Sequence, residues 1–358
     1  MTNNRESYFQ RQSLLPEIGL DGLTKLEAAS VLVVGAGGLG SPVIEQLSSA
    51  GIGRVGIVDG DTVQYSNLHR QSLYTESEIG ELKVLCASRR ILARNPHVRI
   101  EVYPQMLHQE NAIKMIESYD IVVDCSDNYS TRYLINDACV KLNKPFVYGA
   151  IYRLQGQVAL FNFQGGATYR CLTPEFPDSM AGTDCVNTGV ISLVPSIIAN
   201  LQALETVKWI VGLPVIEDLL LVDLRSFDIQ KLKLPARSTD YTFLDHGLNH
   251  PYYRRECSTA AISNQEAMKL VKEGKIQQVI DVREKEEVDS DTIDNIPLSE
   301  IRSNASSVKL EGNTLLFCKS GVRSKEASSI LSSNTNAMIY SLDEAMTNEL
   351  KELWKNRK

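Results

Sequence analysis

The segment SVLVVGAGGLGSP, residues 30 to 42, restricts the possible folds of this chain more than any other feature. It begins with an apolar run typical of a buried parallel strand, and Gly35, Gly37 and Gly40 follow with the G-x-G-x-x-G spacing of a turn into a helix. Glycine permits positive φ and close approach of a ligand, and the N-terminus of the next helix offers free N–H groups. The segment predicts a loop for the phosphates of a dinucleotide or of ATP; a turn that binds nothing is the simpler alternative.

Strand-like and helix-like segments alternate from residue 30 to about residue 150. The predicted strands are Ser30–Val34, Arg54–Val58, Arg99–Tyr103, Ile121–Cys125 and Pro145–Tyr148, and the predicted helices are Ser41–Ala50 and Glu78–Asn95. This alternation predicts an α/β fold, a Rossmann-like domain with a parallel sheet that binds ligands beyond the carboxyl ends of its strands. Alternating polarity over Gln157–Phe163 predicts added antiparallel strands, hence a mixed sheet, and Gly189–Val211 predicts a long apolar helix.

The composition changes near residue 240, where a polar stretch separates two halves of different character. We predict a first domain over residues 1–240, a linker over 241–259 and a small α/β domain over 260–358.

Overall composition is that of an ordinary globular protein, with 43% apolar and 23% charged residues. The net charge of −7 argues against a nucleic-acid partner, because phosphate backbones require clustered Lys and Arg. We find neither a signal peptide nor an uninterrupted membrane span, and the seven scattered cysteines do not resemble a disulfide framework. These features predict a cytoplasmic protein without membrane association.

Charged residues downstream of the glycines distinguish ATP from a nicotinamide cofactor. Asp59 lies nineteen residues after Gly40, where a dinucleotide-binding fold places the acid that holds a ribose hydroxyl. Arg70 and Lys83 follow, and cations suit a triphosphate better than a nicotinamide. Asp127, just beyond a predicted strand, is suited to Mg²⁺. The sequence contains no G-x-x-x-x-G-K-[ST], so the predicted ATP site is not a P-loop.

Five ordered motifs together resemble the MoeB/ThiF (HesA) family of ATP-dependent adenylyltransferases, relatives of the ubiquitin-activating enzymes. The motifs are GAGGLG at residues 35–40, DGD at 59–61, NLHRQ at 67–71, Lys83 and CSDN at 125–128. The resemblance implies that the chain adenylates the C-terminal Gly-Gly carboxylate of a ubiquitin-like sulfur-carrier protein. It implies nucleotide-binding roles for Gly35, Gly37, Gly38, Gly40, Asp59, Asp61, Asn67, Arg70, Gln71, Lys83, Asp127 and Asn128, with Asp59 on the ribose and Asp127 on Mg²⁺.

The YFQRQ segment at residues 8–12 resembles the N-terminal arginine segment of this family, which reaches the ATP site of a partner subunit. An arginine supplied in trans would neutralise charge on the departing pyrophosphate. The resemblance implies this role for Arg11, and with it a homodimer; otherwise Arg11 is a solvated surface charge.

Family members often hold a structural Zn²⁺ with two C-x-x-C pairs. This chain has TYRC at residues 168–171 and Cys257 near the second place, so two of the four expected cysteines are missing. We predict no structural zinc and interpret His246 and His250 as exposed histidines. Cys185 matches a loop cysteine that forms a covalent link with the carrier in some relatives; a buried, inert side chain is the alternative.

The stretch LLFCKSGVRS, residues 315–324, predicts a strand that enters a short loop and a helix, with Cys318 first in the loop. Loop N–H groups, Arg323 and the helix dipole could stabilise a thiolate or persulfide. The C-x-x-G-x-R-S pattern resembles a rhodanese domain over residues 260–356, although the usual histidine-containing stretch is absent. The resemblance implies sulfur transfer through Cys318 from a donor such as a cysteine desulfurase.

The leading hypothesis is therefore a two-step enzyme of the molybdopterin-synthase adenylyltransferase/sulfurtransferase type. Adenylation would activate the carrier terminus, and sulfur from Cys318 would convert it to a thiocarboxylate. Thiamine thiazole synthesis or tRNA thiolation are alternative destinations for the sulfur. An NAD-dependent oxidoreductase and a non-catalytic binding module are alternatives of a different class; hydride transfer does not need Arg70, Lys83 and Asp127.

Overall fold

The computed structural model describes residues 7–174, 189–237, 240–250, 253, 259–288, 293–332 and 337–356. These residues form two compact units, the first ending at Tyr253 and the second comprising the described residues from 259 onward.

The first unit contains a large sheet and the helices that cover it. Its strands are β1 (Ser30–Val34), β2 (Arg54–Val58), β3 (Arg99–Tyr103), β4 (Ile121–Asp124), β5 (Phe146–Tyr152), β6 (Gln155–Phe161), β7 (Leu219–Asp223) and β8 (Asp228–Leu232). Its helices are α1 (Gln10–Ser13), α2 (Gly19–Ala28), α3 (Gly40–Ala50), α4 (Lys83–Arg94), α5 (Ala112–Glu117), α6 (Tyr129–Lys141), α7 (Tyr169–Leu172) and α8 (Leu193–Val211). Short 3₁₀ turns lie at Tyr65–Asn67, Glu76–Glu78 and Thr242–His246.

The eight strands run in the order β3-β2-β1-β4-β5-β6-β7-β8. The first five are parallel, and β1 lies centrally, with Val31 opposite Val55 on β2 and Ile121 on β4. From β5 onward the pairing is antiparallel. The predicted α/β class with a mixed sheet is thus confirmed, and every residue of β1 is buried, as an apolar central strand requires.

The predicted bounds of β1, β2 and β3 agree with the structure, whereas two helices begin later than predicted. Helix α4 begins at Lys83 because the preceding residues form a 3₁₀ turn, closed by a Thr75–Glu78 capping box, and a loop. Helix α8 begins at Leu193, with Pro195 in its first turn. Among the helices described, none has both the length and the apolar character of a membrane span.

The second unit contains a five-stranded sheet in the order β11-β10-β12-β13-β9. Every strand pairing in it is parallel. Its strands are β9 (Thr259–Ile262), β10 (Gln278–Asp281), β11 (Asp294–Asn295), β12 (Thr314–Phe317) and β13 (Ile339–Leu342), and its helices are α9 (Asn264–Lys272), α10 (Leu298–Ser303), α11 (Val322–Ser332) and α12 (Asn348–Lys355). Alternate residues of β12 contribute to two apolar clusters, one with Leu315 and one with Leu316. The sheet is therefore buried on both faces, as parallel sheets require.

Candidate functional site

The glycine loop lies at the carboxyl end of β1, where the chain connections diverge toward β2 on one side and β4 on the other. Gly35 has φ of 95°, and a Cβ there would lie 2.7 Å from the Cys125 carbonyl oxygen. A Cβ at Gly40 would lie 1.9 Å from the Gly35 carbonyl oxygen. The turn into α3 therefore requires glycine at both positions, and it leaves the N-terminus of α3 facing the crevice where α/β sheets bind ligands.

Gly37 and Gly38 differ from these two, because the fold itself has room for a side chain at both. A Cβ at Gly37 would meet nothing closer than the Gln71 amide nitrogen at 3.7 Å, and one at Gly38 nothing closer than Pro195 Cβ at 3.5 Å. Their lack of a side chain keeps the backbone N–H groups open to a ligand.

Replacing Gly40 by Ala is therefore expected to destabilise the fold by about 3 kcal/mol or more, since backbone atoms would have to move. Replacing Gly37 by Ala should leave the free energy of unfolding within about 1 kcal/mol of the parent and weaken ATP binding at least about tenfold. Urea unfolding and calorimetric titration with ATP test the pair. Equal ATP affinity of Gly37→Ala and the parent would contradict a ligand at this loop.

Asp59, directly after β2, ties two loops together. Its carboxylate accepts hydrogen bonds from the N–H groups of Ala36 and Asp61, both at 2.7 Å. Burial raises the pKa of Asp59, and the nearby positive charge of Lys83 opposes that rise. The residue predicted to hold a ribose thus lies against the glycine loop and orients Ala36 within it.

Lys83 is the first residue of α4, and its side chain is only 6% exposed. Its Nζ lies 2.8 Å from the carboxylate of Asp61, whose side chain is 54% exposed. A buried cation whose partner faces solvent can exchange that partner for a phosphate. Lys83 is therefore placed for the predicted phosphate role.

Residues 67–71 lie over the glycine loop. Gln71 donates from its amide to Asn67 Oδ1 at 3.0 Å, and Arg70 donates to the Ser66 carbonyl at 2.9 Å. The aliphatic part of the Arg70 side chain would lie 3.8 Å from a Cβ at Gly38. The structure thus places Asn67, Arg70 and Gln71 beside the loop, on the same side of β1 as Asp59 and Lys83.

Asp127 and Asn128 lie on the other side, in the corner that follows β4. The Ser126 N–H nitrogen would be 3.4 Å from a Cβ at Gly35, so this corner touches the glycine loop. Asn128 caps α6, since its Oδ1 accepts from the Thr131 N–H at 2.8 Å. Asp127 is exposed and lines a cavity of about 500 Å³ that extends beside β5 to β8. Asp124 accepts from the Ser126 N–H at 2.9 Å and so caps the turn that follows β4.

Two further polar residues of this region, Tyr74 and Arg132, are not predicted from the sequence. Tyr74 donates to the Ala36 carbonyl at 2.7 Å and so holds the same loop residue whose N–H donates to Asp59. Arg132 lines the cavity with Asp127 and donates to the Ser126 carbonyl at 3.2 Å. Arg132 is four residues after the α6 cap, and this helical spacing is the signal that could have found it.

Arg11 is exposed on α1, which is anchored far from its own glycine loop. Gln12 donates to the Ala50 carbonyl at 2.7 Å, and the Phe9 ring packs on Gly51, both at the C-terminal end of α3. The glycine loop lies at the opposite end of this 11-residue helix, about 16 Å away. That distance exceeds the length of an arginine side chain. Cys185 lies outside the described residues.

In the second unit, Cys318 follows β12 and is only 2% exposed. Burial acts to raise the pKa of its thiol, but hydrogen bonds from the backbone N–H groups of Ser320, Ser324 and Arg323 and from the Ser324 hydroxyl outweigh it, so the pKa is lowered. Gly321 has φ of 78°, and a Cβ there would lie 2.3 Å from the Asp343 carbonyl oxygen. The loop is thus shaped to hold a sulfur anion.

Arg323 differs in part from its predicted role. Its backbone N–H, together with those of Ser320 and Ser324, donates to the Cys318 sulfur, and we call these three groups the main-chain cradle. Its guanidinium instead pairs with Glu287, with Nη2 at 3.1 Å from Oε1. This ion pair lowers the pKa of Glu287 to about 2. The stabilisation of the thiolate therefore comes from main-chain N–H groups and Ser324.

The alkylation rate of Cys318 should rise with pH through an inflection that lies below the usual thiol pKa of about 8.5, because the lowered pKa lets the reactive thiolate form at lower pH. Rates for each cysteine can be read by mass spectrometry of peptides after iodoacetamide treatment. Cys125 and Cys139 serve as internal controls, since burial raises the pKa of both. Ser324→Ala should move the inflection to higher pH; an unchanged profile would contradict the cradle.

A glycine loop at the switch point of a doubly wound sheet, flanked by buried Asp59 and Lys83, defines a nucleotide-binding protein of the α/β class. Residues 9–243 match the family model described as the ThiF family. The chain belongs to this family, and the second unit lies outside the match.

Curated relatives agree with this assignment. The sulfur carrier protein adenylyltransferase of Thermus thermophilus is 48% identical over 231 residues, which cover 63% of this chain and 85% of that protein. The adenylyltransferase and sulfurtransferase MOCS3 of Aedes aegypti is 45% identical over 67% of this chain, and that of Arabidopsis thaliana is 42% identical over 65%. The alignments span 55% and 51% of those two proteins, about half their length.

Solved structures share the fold at low identity. PaaA superposes with a TM-score of 0.57 at 21% identity, over 65% of this chain and 75% of that one. Escherichia coli MccB, crystallised with ATP, superposes with a TM-score of 0.54 at 20% identity, over 62% and 68% of the two chains.

Proposed function

We propose that this protein uses ATP to adenylate the C-terminal glycine of a ubiquitin-like sulfur-carrier protein and that Cys318 then supplies sulfur to the activated carboxyl group. The observation that carries the proposal is the placement of Lys83, Arg70 and Asp127 around one glycine loop. The names of the Thermus and MOCS3 relatives support the same reaction.

The first step needs charge neutralisation more than acid–base catalysis. The carrier carboxylate is ionised at neutral pH, so it can attack the α-phosphorus of ATP without a general base while pyrophosphate leaves. In our proposal Lys83, Arg70, Asn67 and Gln71 bind the phosphates, and Asp59 binds the ribose. Lys83 would release Asp61 when it turns to a phosphate oxygen.

Asp127 suits a Mg²⁺ ion by its chemistry. Its carboxylate is exposed at the cavity, which leaves room for phosphate oxygens and water as further ligands. Behind it, Asp124 Oδ2 has no hydrogen-bond partner among the described residues, and burial raises the pKa of this carboxyl group. In our proposal Asp127 holds Mg²⁺, which would neutralise charge on the phosphates.

The cavity that begins at Asp127 suits the end of the carrier. Its walls combine aromatic side chains such as Tyr148 and Tyr152 with polar side chains such as Gln157. A Gly-Gly terminus without side chains could enter it in extended form and bring its carboxylate to the glycine loop. We propose this cavity as the path of the carrier tail.

Arg11 and a homodimer complete the proposed ATP site. Arg11 is anchored about 16 Å from its own loop, and in our proposal it serves the site of a second subunit instead. Exposed apolar residues support a subunit interface: Leu14 and Leu20 lie near the N-terminus, and Leu193 and Leu204 lie on α8, against which α2 packs.

Mixing two inactive variants tests the action of Arg11 in trans. Arg11→Ala and Asp127→Asn homodimers should each adenylate the carrier poorly. After unfolding and refolding together in equal amounts, half of the dimers would carry one site with both residues, so the mixture should recover about a quarter of the parent rate. Absence of recovery, with subunit exchange verified by mass spectrometry, would contradict the proposal.

The second step uses the Cys318 loop. A donor such as a cysteine desulfurase would give Cys318 a persulfide, whose terminal sulfur attacks the acyl-adenylate carbonyl and displaces AMP. A second thiol then attacks the Cys318 sulfur, which releases the thiocarboxylate and leaves a disulfide. Hydrogen bonds from the main-chain cradle would stabilise the anionic sulfur before the sulfur attacks the acyl-adenylate. We place the product in molybdopterin biosynthesis, with thiamine thiazole synthesis and tRNA thiolation as alternatives.

One experiment tests the proposed function directly. The protein is incubated with Mg-ATP and purified sulfur carriers that end in Gly-Gly, and intact mass spectrometry follows the carrier. We expect a mass increase equal to one adenylyl group, and none with a carrier that lacks the last glycine. Nucleotide binding without any acyl-adenylate for any carrier would overturn the proposal.

A further inference from the structure

The predicted linker, residues 241–259, includes residues 241–250 and Tyr253, which the structure describes as part of the first unit. A buried polar network holds them there, and we call it the tyrosine clasp; it consists of Asn136, Asp137, Thr168, Arg170, Tyr241 and Tyr253. The clasp joins the C-terminal half of α6 to α7, to residues 241–250 and to Tyr253.

One half of the clasp is an ion pair. Arg170 donates from Nε and Nη2 to the two carboxylate oxygens of Asp137, at 2.8 and 2.6 Å, and Tyr253 donates to Oδ2 at 2.6 Å. The side chains of Asp137 and Arg170 are 0% and 6% exposed. The Arg170 guanidinium also lies 4.7 Å from the ring centroid of Tyr133. A buried charge pair with satisfied hydrogen bonds fixes one arrangement of the elements it joins.

The other half is uncharged. The Tyr241 hydroxyl lies 2.7 Å from Thr168 Oγ1 and accepts from the Asn136 amide at 3.1 Å. Asn136 in turn accepts from the Tyr169 N–H at 2.8 Å. Lys141 donates to the Leu244 carbonyl at 2.5 Å, so the segment is also bound through its main chain.

The family resemblance implies a structural zinc held in part by residues 168–171, and the clasp occupies that position. Cys257, near the second expected pair, lies outside the described residues. The described residues of the clasp do not fit the metal. Thr168 stands where the first cysteine of the C-x-x-C pair would be. The Thr168 N–H donates a hydrogen bond to Cys171 Sγ, with 3.4 Å between the two heavy atoms. Asp137 is already paired with Arg170 and Tyr253. His246 is exposed, and the His250 ring packs 5.7 Å from that of Phe243. A tetrahedral zinc site needs four N, S or O ligands that are free to bind.

We propose that the tyrosine clasp replaces a structural zinc in this protein, so that residues 241–250 and Tyr253 are held on α6 and α7 without a metal. Helix α6 begins at the Asp127–Asn128 corner, so the clasp also stabilises the helix that carries part of the candidate nucleotide site. The clasp is held by hydrogen bonds between oxygen and nitrogen atoms. It therefore has no zinc–thiolate bond that a chelator or an oxidant could break.

Metal analysis and thermal unfolding of the full chain test the proposal. Protein produced in zinc-supplemented medium should contain less than about 0.1 zinc per chain by elemental mass spectrometry, and a strong chelator should leave Tm unchanged within about 1 °C. Near one zinc per chain together with a chelator-induced fall in Tm would overturn the proposal.

Two variants test the clasp itself. Tyr253→Phe removes one hydroxyl from the ion pair and should lower Tm by about 2 °C or more and speed proteolysis between residues 237 and 259. Asp137→Asn should lower Tm further or prevent folding, because it leaves Arg170 buried without a counter-charge. Tyr65→Phe, at a tyrosine that is 71% exposed, is the matched control and should behave as the parent. Unchanged Tm and unchanged protease resistance in Tyr253→Phe would contradict the proposal that the clasp fastens this segment.

Discussion

Asp127→Asn is expected to lower carrier-dependent ATP–pyrophosphate exchange by about 100- to 1,000-fold, the usual loss when one charge-stabilising group of an active site is removed. In our proposal Asp127 holds the Mg²⁺ that binds the phosphates, and an amide is a much weaker ligand. Because Asp127 is exposed, the free energy of unfolding should change by less than about 0.5 kcal/mol. Exchange of labelled pyrophosphate into ATP at saturating carrier and magnesium is the measurement.

Asp245→Asn is the matched control for this loss. Asp245 is an exposed residue of the 3₁₀ turn Thr242–His246 and does not line the cavity that contains Asp127. The control variant should keep the parental exchange rate within about twofold, since a distant surface charge contributes little. If both variants lose the same activity, or if Asp127→Asn keeps the parental rate, the assigned magnesium ligand is wrong.

Cys318→Ser is expected to abolish thiocarboxylate formation and to leave adenylation unchanged. A hydroxyl is almost entirely protonated at neutral pH and cannot carry a persulfide, whereas the adenylation residues belong to the other unit. The assay supplies Mg-ATP, carrier and a persulfide donor, and mass spectrometry separates carrier acyl-adenylate from carrier thiocarboxylate. The variant should accumulate acyl-adenylate and form less than about 1% of the parental thiocarboxylate.

Ser320→Ala controls for general damage to this loop. The Ser320 side chain is exposed, and only its backbone N–H donates a hydrogen bond to the Cys318 sulfur. The variant should therefore keep most of the parental sulfur transfer. Thiocarboxylate formation by Cys318→Ser at the parental rate would show that sulfur reaches the carrier by another route. Loss of adenylation in the same variant would show instead that the two reactions are not separable.

Short-range patterns predicted the fold and the glycine loop well. The apolar run of β1, the glycine spacing and Asp59 are all set by local backbone geometry, so the sequence indicates them directly. Lys83 was predicted as a phosphate ligand, but its contact with Asp61 could not be foreseen, because it joins residues 22 positions apart through the tertiary fold. Tyr74 was missed for the same reason.

The Cys318 loop and the segment after residue 240 show a different limit of prediction from sequence. Polar composition predicts a linker over residues 241–259, yet within it Tyr241 and Tyr253 contact buried partners, Thr168 and Asp137, more than 70 residues away. Arg323 was predicted to face the sulfur, and a long-range ion pair with Glu287 turns its guanidinium elsewhere. Composition indicates which side chains are polar, but it does not indicate which distant charge or hydroxyl group each of them will contact.

The cradle around Cys318 has a consequence for variation within this loop. Apart from the Ser324 hydroxyl, its donors are peptide groups of Ser320, Arg323 and Ser324, and every amino acid except proline supplies such a group. The exposed side chains of Lys319 and Val322 can therefore be exchanged without loss of these hydrogen bonds, provided that Gly321 preserves the turn. If a donor protein delivers sulfur as we propose, these side chains could recognise it while the main chain keeps the sulfur reactive.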